Sequence, residues 1–277
     1  MSLIETAIRN AKKLAAAGRA EEAIGHELQR PRRQPRQRVP VAPPSGTVRT
    51  FRATTATTET MERYGVLLQV QDDTAERAYK ILRTRVQQRM EASGWYSIAV
   101  TSAGAGDGKT LTAINLAIAL ARDVNTSVFL VDLDMQRPQV AGYLGMRFDK
   151  GLSDFLAGQA TFEEIVYEPG VERLAVIPNA RALEHSSELL GSPRMFELCQ
   201  ALASEMPRRI VIFDMPPLLL SDDVLRFHPN VDGLLLVVSE GKTPRTALQH
   251  ARESLPEDKV LGIVLNRSAE REESGYY

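Results

Sequence analysis

Residues 103–110, Ala-Gly-Ala-Gly-Asp-Gly-Lys-Thr, have the types and spacing of a phosphate-binding loop. An apolar run before them predicts a strand, and a helical pattern after them predicts a helix whose N-terminal N–H groups would bind anions. The Lys109 ammonium would reach the β- and γ-phosphates of a nucleoside triphosphate, and the Thr110 hydroxyl would bind Mg²⁺. A glycine-rich turn without a ligand is the alternative. The predicted nucleotide-binding residues of this loop are Gly104, Ala105, Gly106, Asp107, Gly108, Lys109 and Thr110.

Three aspartates follow apolar runs that predict strands. Asp132 and Asp134 follow one run, and Asp214 follows another. Because the carboxyl ends of parallel strands lie along one edge of a sheet, where ligands bind, we expect these carboxylates to meet Lys109 and Thr110 there. Carboxylates beside a triphosphate require a hard cation between them, so Mg²⁺ is predicted, with Thr110, Asp132 and Asp214 as its ligands. A single aspartate at a strand end could instead cap a helix.

Five further segments carry a family resemblance. At 132–138, 187–190, 214–222, 262–266 and 275–277 the chain resembles the bacterial tyrosine autokinases (BY-kinases). The first segment looks like the second Walker motif of the family, with Gln136 in place of a basic residue, and the last lies where the family carries its autophosphorylated tyrosines. The resemblance covers residues from about 62 to 277 and is strongest to the autokinases encoded in exosortase/PEP-CTERM exopolysaccharide loci.

This resemblance implies an ATP-dependent protein-tyrosine kinase with a P-loop NTPase fold and with ATP and Mg²⁺ as cofactors. Asp134 would accept the phenolic proton of the incoming tyrosine. Arg137 would steady that carboxylate or the nucleotide phosphates, and Asn266 would contact the adenine ring. The implied catalytic residues are Lys109, Asp132, Asp134 and Asp214. The implied phosphate acceptors are Tyr276 and Tyr277.

The resemblance also implies partners. These are a membrane chain-length-determinant protein (a polysaccharide co-polymerase) and further copies of the chain in a homo-oligomer. Such a kinase would be cytoplasmic and peripheral to the inner membrane through its partner. In the family, an E-x-x-R-x-x-R motif on the helix before the phosphate loop packs against a neighbouring subunit. Here the aligned residues are Arg77, Lys80 and Arg83, so a base replaces the acidic residue and the motif leaves the oligomeric state open.

Composition and charge predict four regions. Residues 1–28 read as an amphipathic helix, and 29–61 as a linker rich in proline and arginine in which no core can form. Residues 62–268 would be the kinase domain and 269–277 a flexible tail that carries the tyrosines. Residues 1–60 contain 11 Lys or Arg against 5 Asp or Glu, a basic excess that could hold them near an anionic membrane surface. No aromatic residue is interleaved with the linker arginines, so no nucleic-acid partner is predicted.

Strand and helix patterns alternate from residue 96 onward, which predicts an α/β fold with a doubly wound, mostly parallel sheet. The single cysteine, Cys199, lies in a helical pattern and is expected to be a buried apolar residue in a reducing compartment. No apolar run approaches the ~20 residues that a membrane span requires, so a soluble chain is expected. The expected strands lie near 96–102, 127–133, 173–178, 209–214, 232–239 and 260–266, after a helix near 74–91.

Two other functions stay open at this point. A partitioning or septum-positioning ATPase of the same fold usually has a lysine early in the phosphate loop, where this chain has Gly104. The membrane-binding members of that class end in an amphipathic helix, whereas this chain ends in an acidic segment. A catalytically weak scaffold of a polysaccharide-export complex is the other alternative, because of Gln136 and the two-tyrosine tail.

Overall fold

The computed structural model describes residues 51–66, 73–183, 186–204 and 209–268. The predicted N-terminal helix, the first part of the predicted linker and the predicted tail with Tyr276 and Tyr277 lie outside the described residues. The predicted limit between the N-terminal helix and the linker, and the predicted tail, therefore stay predictions.

A twisted sheet organises the described residues, with its strands in the order β1-β4-β5-β3-β6-β2-β7-β8. Its neighbouring strands pair in parallel, except that β4 and β5 are antiparallel. The six strands expected from the sequence are all present, so the predicted α/β architecture is confirmed. The strands are β1 (Arg52–Ala53), β2 (Ser97–Ser102), β3 (Ser127–Asp132), β4 (Tyr167–Glu168), β5 (Leu174–Ile177), β6 (Arg209–Asp214), β7 (Gly233–Ser239) and β8 (Val260–Asn266).

Helices cover both faces of this sheet. Central strands such as β2 and β7 are buried along their whole length, which is why they read as continuous apolar runs rather than alternating ones. None of the described helices is long and apolar enough to cross a membrane. The helices are α1 (Thr58–Tyr64), α2 (Asp73–Ser93), α3 (Lys109–Ala121), α4 (Val140–Leu144), α5 (Leu152–Leu156), α6 (Phe162–Ile165), α7 (Ser186–Leu190), α8 (Pro193–Ser204), α9 (Asp223–Phe227) and α10 (Arg245–Glu253).

Helix α3 is the central helix of one face and carries the end of the phosphate loop. All of its residues except Leu111 are buried, because the helix lies between the sheet and helix α2. Its sequence is almost entirely small or apolar after the first turn, as a helix packed on several sides requires. This burial fixes the position of the helix N-terminus against the carboxyl edge of the sheet.

Residues 51–61 differ from the linker prediction. Phe51 is buried, and its ring meets the ring of Phe129 edge-on at 5.9 Å between centroids. Strand β1 pairs with β4, and helix α1 crosses the predicted boundary between residues 61 and 62. Composition over the whole predicted linker concealed these contacts, because they depend on one aromatic residue and on a strand more than a hundred residues away in sequence.

Candidate functional site

The phosphate loop runs from the end of β2 into the first turn of α3. Gly106 and Gly108 have φ angles of 76° and 94°, a left-handed conformation that glycine adopts without strain. Inside the loop, the Gly104 N–H donates to Asp107 Oδ2 at 3.1 Å, and the Ser102 hydroxyl donates to the Gly104 carbonyl at 2.7 Å. The loop is therefore held in a fixed turn at a helix N-terminus, where unpaired N–H groups bind anions.

Lys109 lies among carboxylates from two strands. Its ammonium is 2.7 Å from Asp134 Oδ2 and 3.4 Å from Asp214 Oδ1, and it donates to the Thr110 hydroxyl at 3.1 Å. Burial alone would lower the pKa of Lys109, but the carboxylates of Asp214 and Asp134 outweigh burial and raise the pKa above its ordinary value. Lys109 therefore stays charged, as a phosphate-binding lysine must.

Asp132 and Asp214 are direct neighbours across β3 and β6. Asp132 Oδ2 accepts the N–H groups of Gln139 and Val140 at the start of α4, both at 3.0 Å. The predicted alternative of a helix-capping role thus describes one oxygen of Asp132. Its other oxygen, Oδ1, is buried and has no hydrogen-bond partner among the described residues, and the same is true of Asp214 Oδ2.

Both of these carboxyl groups are electrostatically destabilised as anions. Burial, and then the neighbouring carboxylate of Asp214, raise the pKa of Asp132 well above its ordinary range. Burial also raises the pKa of Asp214, although Lys109 offsets part of this effect. A divalent cation would relieve this cost and give the two unpaired oxygens a partner.

The donor set fits Mg²⁺ better than a metal held by protein alone. Among the described residues there is no group of three or more His, Cys, Asp or Glu side chains arranged to hold a metal. Mg²⁺ commonly binds one or two carboxylates and takes its other ligands from substrate phosphates and water. Asp132, Asp214 and the Thr110 hydroxyl provide that partial set, next to the phosphate loop.

Asp134 is buried two residues beyond Asp132 and is held at both oxygens. Oδ2 is paired with Lys109, and Oδ1 accepts the backbone N–H of Arg137 at 3.0 Å. The predicted steadying of this carboxylate by Arg137 thus comes from the backbone, while the residue itself is exposed. Its predicted contact with a phosphate stays a prediction.

The phosphate loop follows β2, and we call its outer side the side toward β7 and β8, opposite β3 and β6. The loop beyond β7 and the last residue of β8 contact this outer side. Asn266 Nδ2 donates to the Asp107 carbonyl at 2.9 Å, and Lys242 Nζ donates to the Ala105 carbonyl at 3.0 Å. The Thr243 hydroxyl donates to Asp107 Oδ1 at 2.9 Å. Asn266 is the residue predicted from the sequence to contact adenine, whereas Lys242 and Thr243 were not predicted to lie at the site. Their place directly after a strand beside β2 was the available signal.

Another residue that the sequence analysis missed is Asp223. The predicted motif at 214–222 stops one residue before it, yet Asp223 is fully buried, whereas Asp222 is exposed. The Ser186 hydroxyl lies 2.9 Å from both carboxylate oxygens of Asp223. This pair joins α7 to α9.

The structure thus brings together Lys109, Thr110, Asp132, Asp134 and Asp214 at one edge of the sheet. An α/β fold with a phosphate loop and strand-end carboxylates defines a P-loop nucleotide-binding protein. The family described as "AAA domain" matches residues 96–224. The "Tyrosine-protein kinase YwqD" of Bacillus subtilis is 31% identical over 203 residues, which cover 72% of this chain and 84% of that protein.

The chain therefore belongs to the family of bacterial tyrosine kinases, and it is a protein-tyrosine kinase of the P-loop type. The family resemblance drawn from the sequence is confirmed. The "Succinoglycan biosynthesis transport protein ExoP" of Rhizobium meliloti is 31% identical over 176 residues, covering 62% of this chain and 22% of that protein.

Solved structures agree with this assignment. The kinase domain of Escherichia coli tyrosine kinase ETK superposes with a TM-score of 0.64 at 26% identity, covering 74% of this chain and 80% of that one. The septum site-determining protein MinD of Pyrococcus horikoshii, complexed with Mg-ADP, shares the fold with a TM-score of 0.53 at 24% identity, over 64% of this chain and 72% of that one. Both structures thus share the fold of this chain.

Proposed function

We propose that this kinase uses Mg-ATP to phosphorylate its own tyrosines, Tyr276 and Tyr277, and that the reaction regulates exopolysaccharide synthesis or export. The observation that carries the proposal is the convergence of one buried ammonium, from Lys109, and three buried carboxylates at a helix N-terminus. Names of relatives such as the succinoglycan transport protein ExoP support the link to polysaccharides.

Phosphate binding falls to the loop and to Lys109. The N–H groups of residues 104–110 and the Lys109 ammonium hold the phosphates and stabilise the charge that develops during transfer. Asp132, Asp214 and the Thr110 hydroxyl would hold Mg²⁺, which would supply positive charge to offset that of the phosphate oxygens.

Asp134 is the general base of the proposal. Once Lys109 is engaged with phosphate, Asp134 is free to accept the proton of the tyrosine hydroxyl. The phenolic oxygen then forms the new bond to the γ-phosphorus, and the bond to the β-phosphate oxygen breaks to release ADP. The Arg137 backbone N–H keeps the carboxylate of Asp134 oriented during this step.

The partners of the proposal are a membrane chain-length-determinant protein and further copies of the chain. The kinase would be cytoplasmic and peripheral to the inner membrane through that partner, without binding nucleic acid. On α2, the Glu76 carboxylate pairs with Lys80 at 3.2 Å and with Arg122 at 2.7 Å within the same chain. Glu76 is therefore already engaged within its own chain.

The proposal is tested by incubating the purified chain with Mg-ATP and probing for phosphotyrosine. We expect labelling of the wild type, its loss in Lys109→Met, and its loss in the double variant Tyr276→Phe with Tyr277→Phe. Tyr64→Phe, at an exposed tyrosine stacked on Tyr143, is the matched control and should stay labelled.

The other outcomes of this experiment each reject part of the proposal. Labelling that persists in the double variant would reject the two acceptor tyrosines. Release of phosphate without phosphotyrosine would indicate a partitioning-type ATPase, and neither activity would indicate a scaffold. Labelling that survives Lys109→Met would reject the assignment of the site.

A further inference from the structure

Lys242 places a second ammonium group against the phosphate loop. It lies in the loop after β7, the strand next to β2, so this loop is beside the phosphate loop that follows β2. Its Nζ donates to the Ala105 carbonyl at 3.0 Å, from the outer side of the loop. The residue is otherwise exposed, so this contact orders a side chain that would usually be mobile in water.

The approach of Lys242 depends on Gly106. A Cβ atom on Gly106 would lie 2.5 Å from the Lys242 Nζ, which is closer than two such atoms can pack. The left-handed φ of 76° at Gly106 independently favours glycine. One glycine thus provides both the turn of the loop and the space for the ammonium.

The contact of Lys242 on the outer side of the loop also fixes the direction of an N–H group on the inner side. Because the C=O and N–H of a planar trans peptide point in opposite directions, holding the Ala105 carbonyl outward directs the Gly106 N–H to the other side of the loop. Asn266 does the same two peptides further on, since it holds the Asp107 carbonyl and so directs the Gly108 N–H. The inner side of the loop is where phosphate oxygens need donors.

Thr243 makes a further contact between the loop after β7 and the phosphate loop. Its hydroxyl accepts the Ser239 N–H at 2.8 Å and donates to the Asp107 carboxylate, which in turn accepts the Gly104 N–H. The loop after β7 is therefore connected to the phosphate loop at two points, through Lys242 and through Thr243. Of these, only Lys242 brings a positive charge.

We propose that Lys242 is a positioning residue for phosphate binding, which fixes the Ala105–Gly106 peptide with its N–H toward the phosphates and adds a positive charge beside them. The inference rests on the nucleotide binding of the proposed function. Lys242 acts through the loop, so its loss should weaken nucleotide binding more than it slows phosphoryl transfer at saturating ATP.

The test measures Mg-ADP affinity by calorimetry, and KM for ATP and kcat, in the wild type and in three variants. Lys242→Met should weaken Mg-ADP binding and raise KM by about 10-fold, which corresponds to ~1.4 kcal/mol, with kcat changed less than about 3-fold. Lys242→Arg should restore affinity to within about 3-fold of wild type, because it keeps both the charge and a donor. Arg245→Met, which removes an exposed charge at the start of α10, is the matched control and should bind as wild type does.

Three results would overturn the inference. The first is wild-type affinity in Lys242→Met, which would make Lys242 an ordinary surface lysine. The second is a several-degree loss of thermal stability in Lys242→Met without nucleotide and without rescue by Lys242→Arg, which would make its role structural. The third is a wild-type chain that does not bind Mg-ADP at all, and this result alone would also remove the proposed function.

Discussion

The ammonium of Lys109 and the carboxylate of Asp134 form a buried ion pair, with 2.7 Å between Nζ and Oδ2. The two groups have different tasks in the proposed reaction, one at the phosphates and one at the tyrosine hydroxyl. As long as the pair is intact, the Lys109 ammonium occupies Asp134 Oδ2, the oxygen that a tyrosine hydroxyl would otherwise approach. Phosphate binding competes for the ammonium, so the nucleotide itself would prepare Asp134 to accept a proton.

The first prediction concerns Asp134→Asn, which keeps the shape of the side chain but removes the proton acceptor. Phosphoryl transfer to tyrosine should fall by about 100- to 10,000-fold, the usual contribution of a general base. Mg-ADP binding should be retained or become tighter, because Lys109 no longer has to leave a carboxylate partner. Initial rates of phosphotyrosine formation and calorimetric titration with Mg-ADP measure the two effects separately.

Asp149→Asn is the control for that experiment, since its side chain is 91% exposed and pairs with Arg52 instead of Lys109. It should behave as wild type in both measurements. A variant Asp134→Asn that transfers phosphate at the wild-type rate would reject the role of Asp134 as base. A large loss of Mg-ADP binding in the same variant would contradict the competition between Asp134 and phosphate for Lys109.

The second prediction is that Asp132→Asn raises the thermal stability of the chain without Mg²⁺ and weakens the binding of Mg-ADP. An amide in Asp132→Asn can still accept the N–H groups at the start of α4, and it removes a buried negative charge next to Asp214. The melting temperature without Mg²⁺ should therefore rise, by about 2–4 °C for each kcal/mol gained in a domain of this size. The further stabilisation by Mg-ADP should become much smaller than in the wild type.

Thermal melting of the wild type and of Asp132→Asn measures both effects, with and without Mg-ADP and with EDTA in place of Mg²⁺. Removing Mg²⁺ from the wild type should abolish most of the stabilisation by ADP. Were Asp132→Asn less stable than wild type in the absence of Mg²⁺, the unpaired oxygen would have a structural role instead. Equal stabilisation of both proteins by Mg-ADP would exclude Asp132 as a metal ligand.

The part of the site that the sequence predicted is the part fixed by strand ends. Asp132 and Asp214 each end an apolar strand, and Lys109 begins the helix that follows another, so their position at one sheet edge follows from the α/β pattern alone. The spacing of the phosphate loop likewise depends only on local sequence. These features could be predicted because they do not require knowledge of which distant residues meet.

The part that the sequence did not predict depends on such distant contacts. Lys242 meets Ala105 across 137 positions, and Phe51 packs on Phe129 from a segment whose composition resembles a linker. The two carboxylate oxygens of Asp132 also differ in a way that depends on the position of α4. Oδ2 caps that helix, whereas Oδ1 has no hydrogen-bond partner among the described residues. Neither periodicity nor composition carries information on these pairings.

The third prediction concerns the Ser186–Asp223 pair between α7 and α9. Asp223→Ala would leave the Ser186 hydroxyl buried without its acceptor, which costs about 1–3 kcal/mol. Chemical denaturation should show this loss as a lower midpoint at unchanged slope. Asp222→Ala, at the exposed neighbouring residue, should change stability by less than about 0.5 kcal/mol. Equal stabilities of the two variants would mean that the Ser186 contact contributes nothing measurable.

The fourth prediction concerns the reactivity of Cys199. Burial raises the pKa of its thiol from an ordinary value of 9.0 to about 12, so at pH 8.5 almost no thiolate exists in the folded chain. Alkylation by iodoacetamide at that pH should be slow in the native protein and fast once denaturant unfolds it. Cys199→Ala should retain kinase activity, because the thiol takes no part in phosphoryl transfer. The structure places Cys199 half-buried against the core, less buried than the sequence predicted, and rapid native alkylation would contradict even this partial burial.

Because the pKa of Cys199 is higher in the folded than in the unfolded chain, the free energy of unfolding depends on pH. Well below pH 9.0 the thiol is protonated in both states, so it contributes no pH dependence there. Between pH 9.0 and about 12 the unfolded chain loses the proton first, which favours unfolding, so stability falls as pH rises through this window. Cys199→Ala lacks this effect, so its melting temperature relative to wild type should increase between pH 8 and pH 10. A difference that stays constant over that range would mean that the native thiol ionises as readily as a free one.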